Sequence, residues 1–193
     1  MKRWLLGLLL MTGCLGALGD KPQGVALRYF SPEQTDVRVG VVHADASRAP
    51  IVRLGRVTSS ESLGARIVHR TAAHEIAMYE TLRWTDAPDV YVRRALTSAL
   101  YETGAARDVA GDAPILDVEV TAFEEVDLEH GEHAGRVELH YELRDDRGLR
   151  TSGTTTATHA AQGDAMEGIV SAVSAAMDEA VRALVERTLA ALR

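Results

Sequence analysis

A single cysteine, Cys14, occurs in the 193 residues of the chain. One thiol can form no internal disulfide, so the fold has to stand on its hydrophobic core, and dithiol redox chemistry is excluded. Tryptophan is equally scarce, with Trp4 and Trp84 the only two. The apolar run Trp4 to Met11 is far short of the roughly 20 residues that a membrane-spanning helix needs. Positive charge is in deficit: 21 Lys and Arg stand against 28 Asp and Glu, a net charge of −7. That balance is a poor match to nucleic acid or to anionic head groups. The chain also lacks a Gly-x-Ser-x-Gly elbow, a His-Glu-x-x-His pair and a phosphate-binding glycine loop, which removes the commonest routes to hydrolysis, zinc proteolysis and nucleotide chemistry. No catalytic residue and no cofactor is expected.

What is present begins at the N-terminus. Lys2 and Arg3 precede the apolar run, and Met11-Thr12-Gly13-Cys14 ends it with small residues. That order is a secretory signal, residues 1–13, cut between Gly13 and Cys14. The sequence around Cys14 resembles the lipobox of bacterial lipoproteins, with Met11 where that pattern usually has Leu. The resemblance implies that Cys14 is diacylated, becomes the first mature residue and is then N-acylated. A thiol is the only nucleophile there able to carry the diacylglyceryl group, and acyl chains at ~0.8 kcal/mol per buried methylene hold a domain at a bilayer. Leu15 follows rather than Asp. By resemblance to the sorting rule of Gram-negative envelopes, this implies the outer membrane, lipid-anchored, with the domain facing the periplasm. Loss of Lys2 and Arg3 with the signal takes the net charge from −7 to −9.

Residues 14–24, with Gly16, Gly19, Lys21 and Pro22, read as a lipidated tether. Residues 25–193 are the size of one domain. Val37, Val39 and Val41 alternate with Asp36, Arg38 and Gly40 as in a half-buried strand. Ile51 to Leu54, Ala65 to Val68 and His74 to Trp84 add further extended segments. Asp86 is read as an N-cap, with Pro88 and Asp89 in the first turn. Val92, Leu96, Ala99 and Leu100 follow at helical spacing, and Gly104 reads as a stop. Leu116, Val118 and Val120, then Val137, Leu139, Tyr141 and Leu143, alternate with polar residues. Asp145 to Gly148 is a turn into the Thr-rich run Leu149 to His159. Asp164 opens the longest helix, whose apolar stripe is Ile169, Val170, Val173, Met177, Val181 and Leu184. Its acidic and Arg-bearing polar face does not suit a membrane surface. The order predicts an α+β sandwich: a small mixed or antiparallel β-sheet with two main amphipathic helices, about 86–104 and 164–192, in two similar halves.

Arg53-Leu-Gly-Arg-Val57, Ala65-Arg-Ile-Val-His69, Tyr79-Glu-Thr-Leu-Arg-Trp84 and Tyr91-Val-Arg-Arg-Ala-Leu96 resemble the ABC-type transport auxiliary lipoprotein family, the PqiC-like lipoproteins that accompany Mce-domain lipid transporters. Arg28-Tyr29-Phe30 resembles the family's opening aromatic strand. The spacing Thr85-Asp86-Ala87-Pro88 departs from the family's acidic residue and proline directly after Trp. The resemblance implies a non-catalytic lipoprotein accessory of an Mce/ABC system that moves phospholipid or another hydrophobic molecule. Its partners would be the Mce-domain periplasmic component and the outer membrane, with lipid cargo and a homo-oligomer left open and nucleic acid excluded. Tyr79 and Trp84 are read as structural. The partner surface is placed at Arg83, Asp89 and Arg93, near the start of the Asp86 helix.

Three other readings compete. One is a lipoprotein regulator of a peptidoglycan synthase; the others are a lipid-anchored hydrolase and a metal binder. His130-Gly-Glu-His133, preceded by Glu124, Glu125, Asp127 and Glu129, has ligands of the type zinc takes. It lies where two strands need a solvated hairpin loop, however, and is assigned to that loop rather than to a metal. His69 and His74, five apart across an extended stretch, are expected on opposite faces. Ser59, Ser60 and Ser62 lie close to His69 in sequence, with no elbow to activate them.

Overall fold

The computed structural model describes residues 26–32, 48–109, 111–128 and 131–193. Cys14, the tether and the Val37 to Val41 alternation lie outside them. The elements run β1 (Arg28–Phe30), β2 (Arg53–Ser59), β3 (Arg66–Ala72), β4 (Glu75–Trp84), α1 (Pro88–Thr97), a π-helical turn (Ser98–Glu102), β5 (Ile115–Asp127), β6 (His133–Asp145), β7 (Gly148–Ala160) and α2 (Met166–Ala191).

The strands form one seven-stranded mixed sheet in the order β1-β4-β3-β5-β6-β7, with β2 also pairing β5. The long strand β5 organises it. On one side β5 runs antiparallel to β6 over its whole length. On the other, β2 lies parallel to its first half, Arg53 opposite Ile115, and β3 parallel to its second, His69 opposite Glu125. The α+β class holds, but not as two halves: both helices contribute to a single core cluster that includes Tyr91, Leu96, Val173 and Leu184.

Side-chain alternation explains most of the core. Val137, Leu139, Tyr141 and Leu143 of β6 are buried beneath the α2 stripe, because a strand places alternate residues on one face. Gly135 continues that face, and a Cβ there would meet Val173 N at 2.2 Å, so the absence of a side chain lets the α2 backbone approach the sheet. β5 carries a bulge between Val120 and Ala122 in its pairing with β6. The bulge changes the strand's phase. Leu116, Val118 and Val120 face the helices before it; Phe123 does so after it, taking Trp84 edge-on at 5.2 Å and stacking with Tyr91 at 6.3 Å.

Three local expectations change. The N-cap of α1 is Ala87 rather than Asp86, with Pro88 in the first turn; Asp86 instead accepts from Arg94 at 2.9 Å. The turn is closed by the Tyr91 hydroxyl, which accepts from Asp86 N–H at 2.9 Å and bonds Thr85 Oγ1 at 2.6 Å. α2 begins at Met166, after Ala165 at its N-cap, rather than at Asp164. Finally, the acidic run is not a loop: Glu124, Glu125 and Asp127 lie within β5.

Candidate functional site

Adjacent residues of a strand point to opposite faces, so Glu124 and Glu125 diverge. Glu124, 2 % exposed, turns to the face away from the helices, where Arg70 grips it with Nε at 2.7 Å and Nη2 at 3.1 Å. Arg136 approaches at 3.6 Å and itself pairs with Glu138 at 2.7 Å. A guanidinium fork of this kind neutralises a buried carboxylate. The bond to Glu124 in turn raises the affinity of Arg70 for its proton, against the effect of burial.

Glu125 turns to the helix face, in the phase set by the β5 bulge. It is 1 % exposed, and the nitrogen groups nearest its carboxylate are imidazoles. His133 Nδ1 lies 2.9 Å from Glu125 Oε1 and 3.0 Å from Asp127 Oδ1. His69 Nε2 lies 2.6 Å from Asp127 Oδ1 and 4.0 Å from Glu125 Oε1. One donor atom from each of His69, Glu125, Asp127 and His133 falls within 4.8 Å of every other. The cluster is built across three strands: His69 of β3 is opposite Glu125 of β5, and Asp127 of β5 is opposite His133 of β6.

Tyr79 of β4 completes the surround. Its hydroxyl donates to Glu125 Oε2 at 2.7 Å, and its ring stacks on His69 with centroids 5.8 Å apart and planes 10° apart. Burial, then the Glu125 bond, pushes the Tyr79 phenol well above its ordinary range, so it remains a donor at neutral pH. The bond from His69 holds the Asp127 carboxyl below its usual range, against the effect of burial.

The His130-Gly-Glu-His133 run, assigned above to a loop rather than to a metal, contributes one described histidine to this cluster. His133 takes part, His130 lies outside the described residues, and His74 is exposed on the turn between β3 and β4. The missing partner, His69, is distant in sequence. Only the strand order and the β5 bulge bring it to Glu125.

The expected partner-binding residues lie apart from this cluster. Arg83 folds back on its own strand: Nη1 donates to the Tyr79 and Leu82 carbonyls at 2.9 and 2.8 Å, and Nη2 to Glu80 at 2.9 Å. These carbonyls sit where β4 slips register against β3, between Met78 and Arg83. Asp89 takes a bond from Ser59 Oγ to Oδ1 at 3.3 Å and donates its N–H to that hydroxyl at 3.1 Å. Arg93 is exposed and reaches the Gly55 carbonyl at 3.1 Å. Trp84 is 1 % exposed, inside the core. Ser59 and Ser60 are hydrogen-bonded to Asp89 and Glu119.

No described helix is long and apolar enough to cross a membrane. A groove of about 450 Å³ between the end of β1 and α2 is lined in part by Phe30, Val170, Glu167 and Ser174.

A one-sheet α+β domain with both helices in one core is the class this geometry defines. The sequence places it further: residues 35–185 match the family model of the ABC-type transport auxiliary lipoprotein component, and the chain belongs to that family. The fold is similar to the crystal structure of protein XCC0632 from Xanthomonas campestris, with a TM-score of 0.73, 19% identity and coverage of 85% of this chain and 96% of that one. It is also similar to the crystal structure of an uncharacterized protein, with a TM-score of 0.62, 14% identity and coverage of 84% and 99%. Among curated proteins no sequence matches. The family is a transport auxiliary component, not a known enzyme family.

Proposed function

We propose that this protein is a non-catalytic outer-membrane lipoprotein that assists an Mce/ABC-type system in moving phospholipid or another hydrophobic molecule across a Gram-negative envelope. The observation that carries this reading is the family match over residues 35–185. The lipobox-like Met11-Thr12-Gly13-Cys14 and the following Leu15 support the anchor at Cys14 and its outer-membrane destination. In this reading the domain docks on the Mce-domain periplasmic component through the surface at the start of α1. Of the three residues Arg83, Asp89 and Arg93, Arg93 is the exposed one, Asp89 holds the helix start against β2, and Arg83 shapes the strand that leads into it. An exposed arginine at a rim steers association and fixes orientation more than it adds affinity.

The test is crosslinking in intact cells, followed by mass spectrometry, with the full chain and its Arg93→Glu variant. Recovery of an Mce-domain protein by the wild type and its loss with Arg93→Glu, at equal protein level, is the expected result. Recovery of a peptidoglycan synthase instead would overturn the reading. Fractionation checks the anchor: Cys14→Ala should leave the membrane fraction as precursor or soluble protein, and Leu15→Asp should move towards the inner membrane.

A further inference from the structure

The contrast between the two buried glutamates shows what the helix-face cluster lacks. Glu124 is neutralised by guanidinium groups. Glu125 is buried as deeply, lies beside a second carboxylate, and its ion-pair neighbours among the described residues are imidazoles. A buried carboxylate with no charge partner is costly, and the Tyr79 hydrogen bond supplies a dipole rather than a charge.

The geometry at His133 sharpens the point. Its Nδ1 is within 3.0 Å of two carboxylate oxygens, yet among the described residues this buried atom has no hydrogen-bond partner of good direction. The distances are those of a hydrogen bond and the directions are not. Lone pairs from a nitrogen and two carboxylates converge on one small space without an N–H aligned to join them. That arrangement suits a cation placed between the donors.

We infer that His69 Nε2, His133 Nδ1, Glu125 Oε1 and Asp127 Oδ1 form a binding site for a divalent first-row transition metal, of which Zn²⁺ is the member to test. Two imidazoles and two carboxylates are ligands this class takes, and their two negative charges balance a dication. Tetrahedral zinc with bonds of about 2.0–2.1 Å would set its ligand atoms roughly 3.3 Å apart. The four nitrogen–oxygen separations of 2.6, 2.9, 3.0 and 4.0 Å bracket that value and every donor pair lies within 4.8 Å, so side-chain adjustment can bring the donors onto one ion. Tyr79 is a positioning residue. Its bond to Glu125 Oε2 leaves Oε1 turned to the ion, the outer-shell arrangement that orients a ligating carboxylate.

All four ligands come from the protein, which marks the site as structural rather than catalytic. It clips β3, β5 and β6 together beyond the reach of the aliphatic core. Asp127, 34 % exposed at its side chain, leaves the ion a path from solvent.

The experiment uses the full chain purified in mild detergent, carrying Cys14→Ser so that no thiol contributes, stripped with chelator and titrated with Zn²⁺. Bound metal is counted by mass spectrometry, and Co²⁺ loading is read as visible absorption. One equivalent of zinc, a higher melting temperature with metal and an intense tetrahedral Co²⁺ spectrum are expected. The near-isosteric Asp127→Asn and His69→Gln should lose stoichiometric binding. Tyr79→Phe should keep one equivalent with affinity lowered about 10–100-fold, the usual effect of losing an outer-shell partner. His159→Gln, outside the cluster, should bind as wild type. Failure of the parent to bind one equivalent, or unchanged binding by folded Asp127→Asn and His69→Gln, would overturn the assignment. If those two variants do not fold, the proposal stands or falls on metal count and Co²⁺ spectrum in the parent and on Tyr79→Phe.

Discussion

Gly135→Ala should be among the most damaging single-methyl additions in this protein. The new Cβ would lie 2.2 Å from Val173 N, 2.5 Å from Ala172 C and 2.6 Å from Val173 Cα. All three are backbone atoms of α2, two turns in from its start, so no rotamer change relieves the contact. Ordinary van der Waals separation requires the helix and sheet to part by about an ångström, and close-packed interiors transmit such a shift to every neighbour. Leu139, Met177, Val173 and Val181 are all buried in that layer and would lose contact together. Overpacking of this kind costs typically 1–3 kcal/mol and occasionally more; with rigid backbone on both sides we expect about 3 kcal/mol. For a domain of this size that is a fall of roughly 6–12 °C in melting temperature. Gly64→Ala is the control, because nothing among the described residues lies within 4 Å of its added Cβ, and it should stay within about 0.5 kcal/mol of wild type. Calorimetric melts of the two variants decide the matter. A Gly135→Ala protein melting with the Gly64→Ala control would refute the claim that α2 is seated on a side-chain-free spot of β6.

The remaining predictions concern the β3–β4 region and acid stability. Trp84→Ala should destabilise the domain by roughly 3–5 kcal/mol, the range for emptying a buried aromatic site; denaturant titration that finds under about 1 kcal/mol would mean the ring is not in the core. Arg83→Ala should cost about 1–2 kcal/mol, since three carbonyls at the β4 register slip lose a charged donor, and Arg83→Lys should not restore them because one ammonium cannot replace the fork. Equal urea midpoints for wild type and Arg83→Ala would contradict this. Burial alone would raise the Asp117 carboxyl, but the Arg56 N–H and the Arg144 guanidinium more than offset it and hold it below its ordinary range. A group lowered in the folded state stabilises the fold above its unfolded pKa of about 3.9, and that contribution is lost as pH falls through the folded value. Asp117→Asn should therefore differ from wild type most near neutral pH and converge with it in acid; a gap that stays constant as pH falls would count against the linkage.

Much of this protein was decided by order along the chain alone. The strand alternation of Val137 to Leu143 and the α2 stripe from Ile169 to Leu184 are local periodicities, and burying one face of each needs no knowledge of the partner. The lipobox-like residues before Cys14 are likewise a local pattern, as is the segment from Arg53 to Leu96 that carries the family resemblance. The cluster is different. Read by alternation from Leu116, Val118 and Val120, β5 would place Ala122, Glu124 and Val126 towards the helices and Phe123, Glu125 and Asp127 towards solvent. One bulge reverses that assignment, and a bulge has no signature in apolar spacing. His69 and Glu125 are neighbours because β3 lies parallel to the far half of β5, a long-range pairing that neither segment specifies by itself. The same holds at Arg83, whose three carbonyl acceptors are presented to it by the register slip in β4. Local periodicity selects the elements and their buried faces. Phase changes within a strand, and the order in which strands meet, determine which polar residues share a face, and these depend on packing across the whole sheet.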